Sequence, residues 1–439
     1  KEANLQVRST SGNSARSTVS MGGFGENGGL RTLVLLDGHR LNAIDMSSIN
    51  WYSIPLALVE SIEVIRGAQS GTYGNHAVGG VIKINTKLPK EAPSGSLEAS
   101  AGSFDTFNAR GAYSQRIGGI GLTIFGERAE SDGYRVNGDH KTDAGGVRLD
   151  WGSESDLRGY LSWSLSNSEF GLPGSLTDSQ LYMDRRQTLS PNDGVQERSS
   201  NGRAGLSYEI NDNWSLENRL GYQDRDVDEE FYGSWGFYLA EKVYQIFSYS
   251  PALHYNSNEA DWRFGFDFSD AEVDSKSYDG SSETLTQYQR VTTAFLVSTQ
   301  IDLSNEWNFN GNIRLERAEN SGDFDLSKDE WAGGIGLVRE FEEEDRIYGT
   351  IRRFYRYPAM DEYLTFGTFN PDLMPENGYE VELGADWTFE QIFLSGRIFR
   401  QWMEDEIMYE SFSNRNLPKN RRFGIDFSLD WQMTETVRS

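Results

Sequence analysis

Residues 31–87 read RTLVLLDGHRLNAIDMSSINWYSIPLALVESIEVIRGAQSGTYGNHAVGGVIKINTK, and the fold turns on this stretch. The runs from Leu33 to Leu36 and from Val81 to Asn85 are too short for helices and rich in Leu, Val and Ile, so they read as buried strands. Asp37-Gly38 turns the chain after the first. Pro55 suits the first turn of a helix, where its missing N–H costs nothing. Val59, Ile62 and Val64 lead into Arg66-Gly67, and Gly67, Gly71, Gly74, Gly79 and Gly80 suit tight turns and close backbone approach. Taken alone, these pieces make a small mixed α/β unit with no stated function.

Before this unit, residues 1–30 are polar, with Gly and Ser throughout. Leu5 and Val7, then Val19 and Met21, alternate with polar residues as two short strands. Gly23 to Gly28 matches G-x-G-x-x-G, but that fingerprint needs a strand before it and a helix after it. Here a strand follows, so the segment is a Gly-rich loop. After the unit, residues 88–95 (LPKEAPSG) form a linker. The domains are therefore 1–90 and 91–439.

Beyond the linker the pattern is long period-2 alternation. Trp262, Phe264, Phe266 and Phe268 alternate with Arg263, Gly265, Asp267 and Ser269. Phe423, Ile425, Phe427, Leu429 and Trp431 alternate with Gly424, Asp426, Ser428 and Asp430. Such strands fit a soluble sandwich with the apolar face inward or a membrane barrel with it outward. Their length, the aromatics near strand ends and the turns favour the barrel. Short turns at 118–119, 211–213, 304–306, 343–345 and 390–391 alternate with longer stretches such as 170–198, 226–242 and 366–378. About sixteen strands fit between 96 and 436.

The order Leu35-Leu36-Asp37-Gly38, Ile54-Pro55-Leu56, Ile62 to Gly67, Tyr73-Gly74, Gly79-Gly80 and Val81 to Lys87 resembles the plug domain of TonB-dependent outer-membrane receptors. A second stretch, Arg353 to Tyr363 followed by Asn370-Pro371-Asp372-Leu373-Met374-Pro375-Glu376, looks like a barrel segment of that family, as does Asn420 to Asp426. The resemblance implies a mainly β fold: a transmembrane antiparallel β-barrel, twenty-two strands in full family members, with an N-terminal α/β plug inside it. It also implies missing family segments at both ends, the energy-coupling box before the plug and the last strands of the barrel. The family's Arg-Gly-Phe segment reads Met21-Gly22-Gly23-Phe24 here, with Gly22 at the Arg position.

Bulk properties bound the function. No run approaches the ~20 apolar residues of a transmembrane helix, and mean hydropathy is −0.60. The net charge of −26, from 67 acidic and 41 basic residues, argues against a nucleic-acid partner. There is no Cys, and the four histidines are dispersed with no H-E-x-x-H pair. Neither a G-x-S-x-G elbow nor an EF-hand is present; Asp224, Asp226 and Asp228 begin like a calcium loop, but Glu229 and Trp235 stand where Gly and Glu belong. With Tyr232 and Trp235 these aspartates read as an acidic, aromatic external loop offered to a cation or a flat ligand, or as a strand end with solvated acids.

The resemblance implies a receptor that binds a large scarce nutrient, of the ferric siderophore, haem or cobalamin type, and imports it by plug movement. It implies no catalysis, no cofactor and no structural metal. The implied partners are outer-membrane lipid and lipopolysaccharide, the periplasm-spanning TonB energy-coupling protein and the imported ligand. The family places an Arg of its I-E-V-I-R-G element against carboxylates of the inner wall. That maps Arg66 to Glu382, with Glu380 as competitor and Glu60 or Glu63 as partners within the plug. A passive porin-like channel and a soluble secreted adhesin or enzyme are the rival functions.

Overall fold

The computed structural model describes residues 5–9, 16–152, 156–232, 236–341, 345–365, 368–434 and 437–438. Near the N-terminus, β1 (Gln6–Ser9) and β2 (Ser17–Ser20) pair antiparallel. Five successive buried residues then form β3 (Thr32–Leu36). An unbroken apolar strand needs cover on both faces, and two clusters provide it. Val34, Leu36, Ile54, Ile82 and Ile84 pack on one side, and Leu33, Leu35, Ala77 and Val81 on the other. β3 lies between β4 (His39–Arg40) and β6 (Gly80–Thr86), and β5 (Val59–Arg66) flanks β6. The β3–β6 pairing is parallel, so the chain between them must cross over.

The crossover holds little helix. Pro55 precedes a three-residue 3-10 turn, Leu56–Leu58, where the sequence suggests a helix start. β5 begins at the next residue, leaving no room for the several turns a helix needs to be stable. The α-helical turn of the plug is α1 (Ser70–Tyr73).

β7 (Ser94–Gly102) opens an antiparallel meander in which each strand pairs with the next. Sixteen long strands make up this barrel sheet among the described residues. Side-chain parity follows the expected faces. Phe423, Ile425, Phe427, Leu429 and Trp431 are 42–67% exposed on the outside, while Asp426 turns inward to meet Arg397 at 2.6 Å. Phe264 is outward, and its neighbour Asp267 faces the interior and holds Arg314 at 2.6 Å.

Strand length is the main departure from expectation. The strand Ser413–Thr434 has 22 residues. At ~3.4 Å per residue and a tilt of ~40° it stands about 55 Å tall, against an apolar band of ~25 Å. The wall therefore continues well past the lipid band. Most of 226–242 is wall, not loop: one strand runs through Trp214–Phe231 and the next begins at Tyr238.

The linker leaves the plug at the short-turn end, where Arg116 N–H donates to Lys90 O at 2.9 Å. The other end carries the longer connections, including 172–193 with its helix Asp178–Met183 and 357–375.

Candidate functional site

The plug meets the wall through many polar groups, beside an apolar contact of Phe24, Ala68 and Val78 with Phe354 and Met403 of the wall. Inward wall positions carry carboxylates, and the plug brings donors to them. Glu127 accepts from Ala57 N–H at 2.7 Å. Glu197 accepts from Arg16 at 2.6 Å and from Asn50 at 3.3 Å. Glu376 is fully buried and bonds Arg31 of the plug, with Nε at 3.1 Å, together with Arg356 of the wall at 2.8 and 2.9 Å. Arg356 in turn grips Glu362 through two bonds of 2.7 and 2.9 Å. Paired guanidinium–carboxylate forks of this kind fix orientation as well as energy.

Arg31 sits one residue before β3, so the most buried element of the plug fixes its position. Sequence reasoning misses it. The signal is a lone Arg before an apolar strand, and its partner lies 345 residues away. The absent Arg at Gly22 does not leave the plug without an ionic hold, because Arg31 supplies one.

Glu380 and Glu382 do face the lumen, 1% and 3% exposed. Their partners differ from the expected Arg66. Glu382 pairs with Arg352 at 3.2 Å and Arg397 at 2.9 Å, both on the wall. Glu380 bonds Arg352 at 3.1 Å and Gln401 at 2.6 Å, and accepts the Ala68 N–H at 2.9 Å. The plug thus approaches this pair with its main chain. Gly67, at φ +78°, lets it come close: a Cβ there would lie 2.6 Å from Glu380 Oε1. The wall arginines on adjacent strands already neutralise Glu382.

At the long-loop end, plug residues 43–48 form an apex. Asp45 accepts from Tyr244 OH at 2.5 Å and from Ser47 Oγ at 2.7 Å. Burial opposes its ionisation, but Arg225, those two hydrogen bonds and Lys242 together hold its carboxyl below the ordinary value. The short helix Met360–Tyr363 of the 357–375 connection lies on this apex. Met360 N–H donates to Ile44 O at 3.0 Å, and Met46 N–H to Asp361 Oδ2 at 3.3 Å. Asp361 is pushed up to about 6, by burial first and then by the Asp45 charge, with Glu229 adding to the rise and Lys242 and the Met46 N–H opposing it. Tyr288, Tyr363 and Phe369 pack around Phe324, the first two tilted at 48° and 53° and Phe369 stacked with ring centroids 4.2 Å apart.

The predicted external-loop residues divide. Asp224, Asp226 and Asp228 lie on the strand Trp214–Phe231, not in a loop. They alternate with the buried, inward Arg225 and Val227 and so face outward. Both faces are polar at this height, which erases the alternation that would mark a strand. Asp228 meets Arg198 at 3.2 Å, and Asp224 accepts from Gln245 at 3.2 Å. Tyr232 does follow the strand; its OH donates to Glu230 at 2.9 Å and its N–H to Asp193 at 2.7 Å. Trp235 lies outside the described residues. No group of three or more metal-ligating side chains occurs among the described residues.

Lower in the lumen, a cavity of about 400 Å³ separates the plug from the wall. His39, Arg40 and His76 of the plug face Arg203, Glu217, Arg219, Arg263 and Asp267 of the wall across it. His39 bonds Tyr160 OH at 2.8 Å. Burial, then Arg203, Arg219 and Arg148, push it down to about 3, so its imidazole is neutral.

Comparison with known proteins fits this architecture. The model of the TonB dependent receptor-like β-barrel matches residues 128–438, and that of the TonB-dependent receptor plug domain matches residues 2–81. A vitamin B12 transporter of Vibrio cholerae is 35% identical over 144 residues, 31% of this chain and 23% of that protein. A ferric enterobactin receptor of Pseudomonas aeruginosa is 30% identical over 253 residues, 53% of this chain and 33% of that protein. The matches thus span a third or less of those relatives' own length. The crystal structure of the ferric yersiniabactin uptake receptor of Yersinia pestis superposes with a TM-score of 0.85 at 18% identity, covering 98% of this chain and 72% of that one.

Proposed function

Because the chain belongs to the TonB-dependent receptor family, proteins of the Gram-negative outer membrane, we propose that it captures a large scarce nutrient and imports it past a plug that moves on demand. The observation that carries this reading is the seat of the plug. Hydrogen bonds and ion pairs to wall carboxylates hold it, and Arg31 to Glu376 is the most buried of these. Polar links can be broken and remade, and the apolar contact beside them, Phe24, Ala68 and Val78 against Phe354 and Met403, is small. A barrel of this size has an aqueous lumen that something must fill, and a permanently open channel has no use for such a plug.

Capture belongs at the long-loop end, over the apex and the rim near Glu230 and Tyr232. Asp226 and Asp228, on the outer side of that rim, would attract a cationic partner or a metal-bearing ligand. The named relatives favour a metal chelate or a cobalamin as cargo. The work is binding and transport, driven through the plug by the periplasm-spanning TonB protein, and lipopolysaccharide surrounds the outer wall. The test is uptake of labelled ferric siderophores, haem and cobalamin by cells in which this receptor is the sole outer-membrane route. Uptake of one of them should stop when a protonophore collapses the membrane potential. Uptake indifferent to the protonophore, with steady open conductance in planar bilayers, would establish the passive channel instead.

A further inference from the structure

The cavity between plug and wall is cationic in a chain that is strongly acidic. Six arginines and Lys83 line it against three carboxylates, Glu217, Asp267 and Glu316, although acids outnumber bases 67 to 41 in the whole chain. Two of the carboxylates are already committed, since Glu316 and Asp267 both hold Arg314 at 2.6 Å. Glu217 is shared between Arg219 at 3.9 Å and His254 at 3.5 Å. Among the described residues, the guanidinium groups of Arg203 and Arg263 make no hydrogen bond and no ion pair. Arg219 Nε is buried without a hydrogen-bond partner, its contact with Glu217 being a long ion pair, and Nδ1 of His76, which is 7% exposed and lines the same cavity, also lacks a hydrogen bond.

The backbone makes room for these groups. Arg203 stands opposite Gly221, and Gly221 opposite Ser248, so small residues separate the arginine-bearing positions. Arg219 presses on the plug at Gly38, where a Cβ would lie 2.4 Å from its Nη1. Like charges converging on a partly enclosed space repel one another and lose hydration. An oxyanion relieves both costs, because carboxylate and phosphate oxygens match the guanidinium fork.

We propose that this cavity is a binding site for a multiply charged oxyanion bearing carboxylate or phosphate groups, held by Arg203, Arg219 and Arg263 from the wall and Arg40 from the plug. Its place on an import path, as a station below the apex, rests on the receptor reading above; the binding itself does not. The volume lies within the range of small-ligand sites.

Calorimetric titration of the detergent-solubilised whole protein with citrate, and separately with inorganic phosphate, tests the site. Saturable binding of either anion is expected, and which one binds tighter separates a polycarboxylate ligand from a phosphate ester. Arg203→Gln with Arg263→Gln, which removes two guanidinium groups, should weaken it by at least tenfold. Arg203→Lys with Arg263→Lys should restore part of the affinity, and Arg128→Gln on the outer wall should leave it unchanged. Heat-modifiable migration on gels shows that each variant has a folded barrel. No saturable heat in the millimolar range, or equal binding by the glutamine variant, overturns the proposal. Energy-dependent uptake without anion binding would remove only this site; anion binding without such uptake would remove only the receptor reading.

Discussion

At the scale of single residues, the plug is held by a few buried charges whose loss cannot be absorbed by water. Arg31 and Glu376 are 1% and 0% exposed. Stranding one partner of such a pair outright costs about 3–5 kcal/mol; loss of Arg31 costs part of that, because Arg356 still holds Glu376 at 2.8 and 2.9 Å. Arg31→Gln should therefore lower the urea concentration at which protease cuts the plug, while the barrel keeps its midpoint. Glu376→Gln should do more, since it leaves Arg31 and Arg356 facing each other; equal midpoints in all three proteins would refute the role. Asp361 makes the second prediction. Its carboxyl keeps its proton to about pH 6 in the folded contact, above the ordinary ~4 of an unfolded chain. The contact between the 357–375 connection and the apex is then fully supported below the unfolded value and weakens as pH rises through 6. Hydrogen exchange over residues 357–365, corrected for intrinsic rate, should be slower at about pH 4.5 than at about pH 7.5, and Asp361→Asn should flatten that difference. Neither site is legible in the sequence. An Arg before an apolar strand and an Asp in a loop are ordinary, and only the fold brings their partners to them.

At the scale of elements, legibility follows the environment of each face. Where one face meets lipid and the other the lumen, alternation is sharp, and period 2 alone assigns the outward face of Phe423 to Trp431. Phe427→Arg, at 64% outward exposure, should impair barrel insertion by about 2–4 kcal/mol if it lies near the midplane, whereas Ser428→Arg on the inward side should be tolerated. Folding yield into bilayers measures this, and equal yields would reject the facing. Above the lipid band both faces touch water, the period disappears, and Asp224, Asp226 and Asp228 read as loop. Close approach is equally invisible: five glycines in the plug look alike in sequence, yet Gly67 is the one seated on the Glu380–Glu382 pair. Gly67→Ala combines a strained positive φ with a 2.6 Å clash. Its plug should become protease-sensitive at 37 °C, and a protection pattern like the parent's would show that the wall carboxylates can yield.

At the scale of the whole molecule, the architecture divides labour between a tall wall with apolar and polar zones and a small sheet seated within it by charge. The family's motifs carry that division plainly, because strand order and turn residues are local. The register of plug against wall is not local, and no stretch of sequence states it. The position of Arg31, a single residue before β3, has a mechanical meaning. Tension applied from the N-terminal side meets the Arg16–Glu197 pair, runs through β2 and the following turn, and reaches the Arg31 fork before it reaches β3. Beyond that point the parallel β3–β6 ladder, registered from Thr32↔Gly80 to Leu36↔Ile84, lies lengthwise in the load and resists by shearing all its bonds together. The fork is thus a fuse in series with a stiff spring. Pulled in a force spectrometer from the N-terminal end, the parent should show an early rupture that Arg31→Gln lacks, with the later sheet event unchanged. The plug would then yield first at residues 16–31, opening space beside a sheet that stays whole.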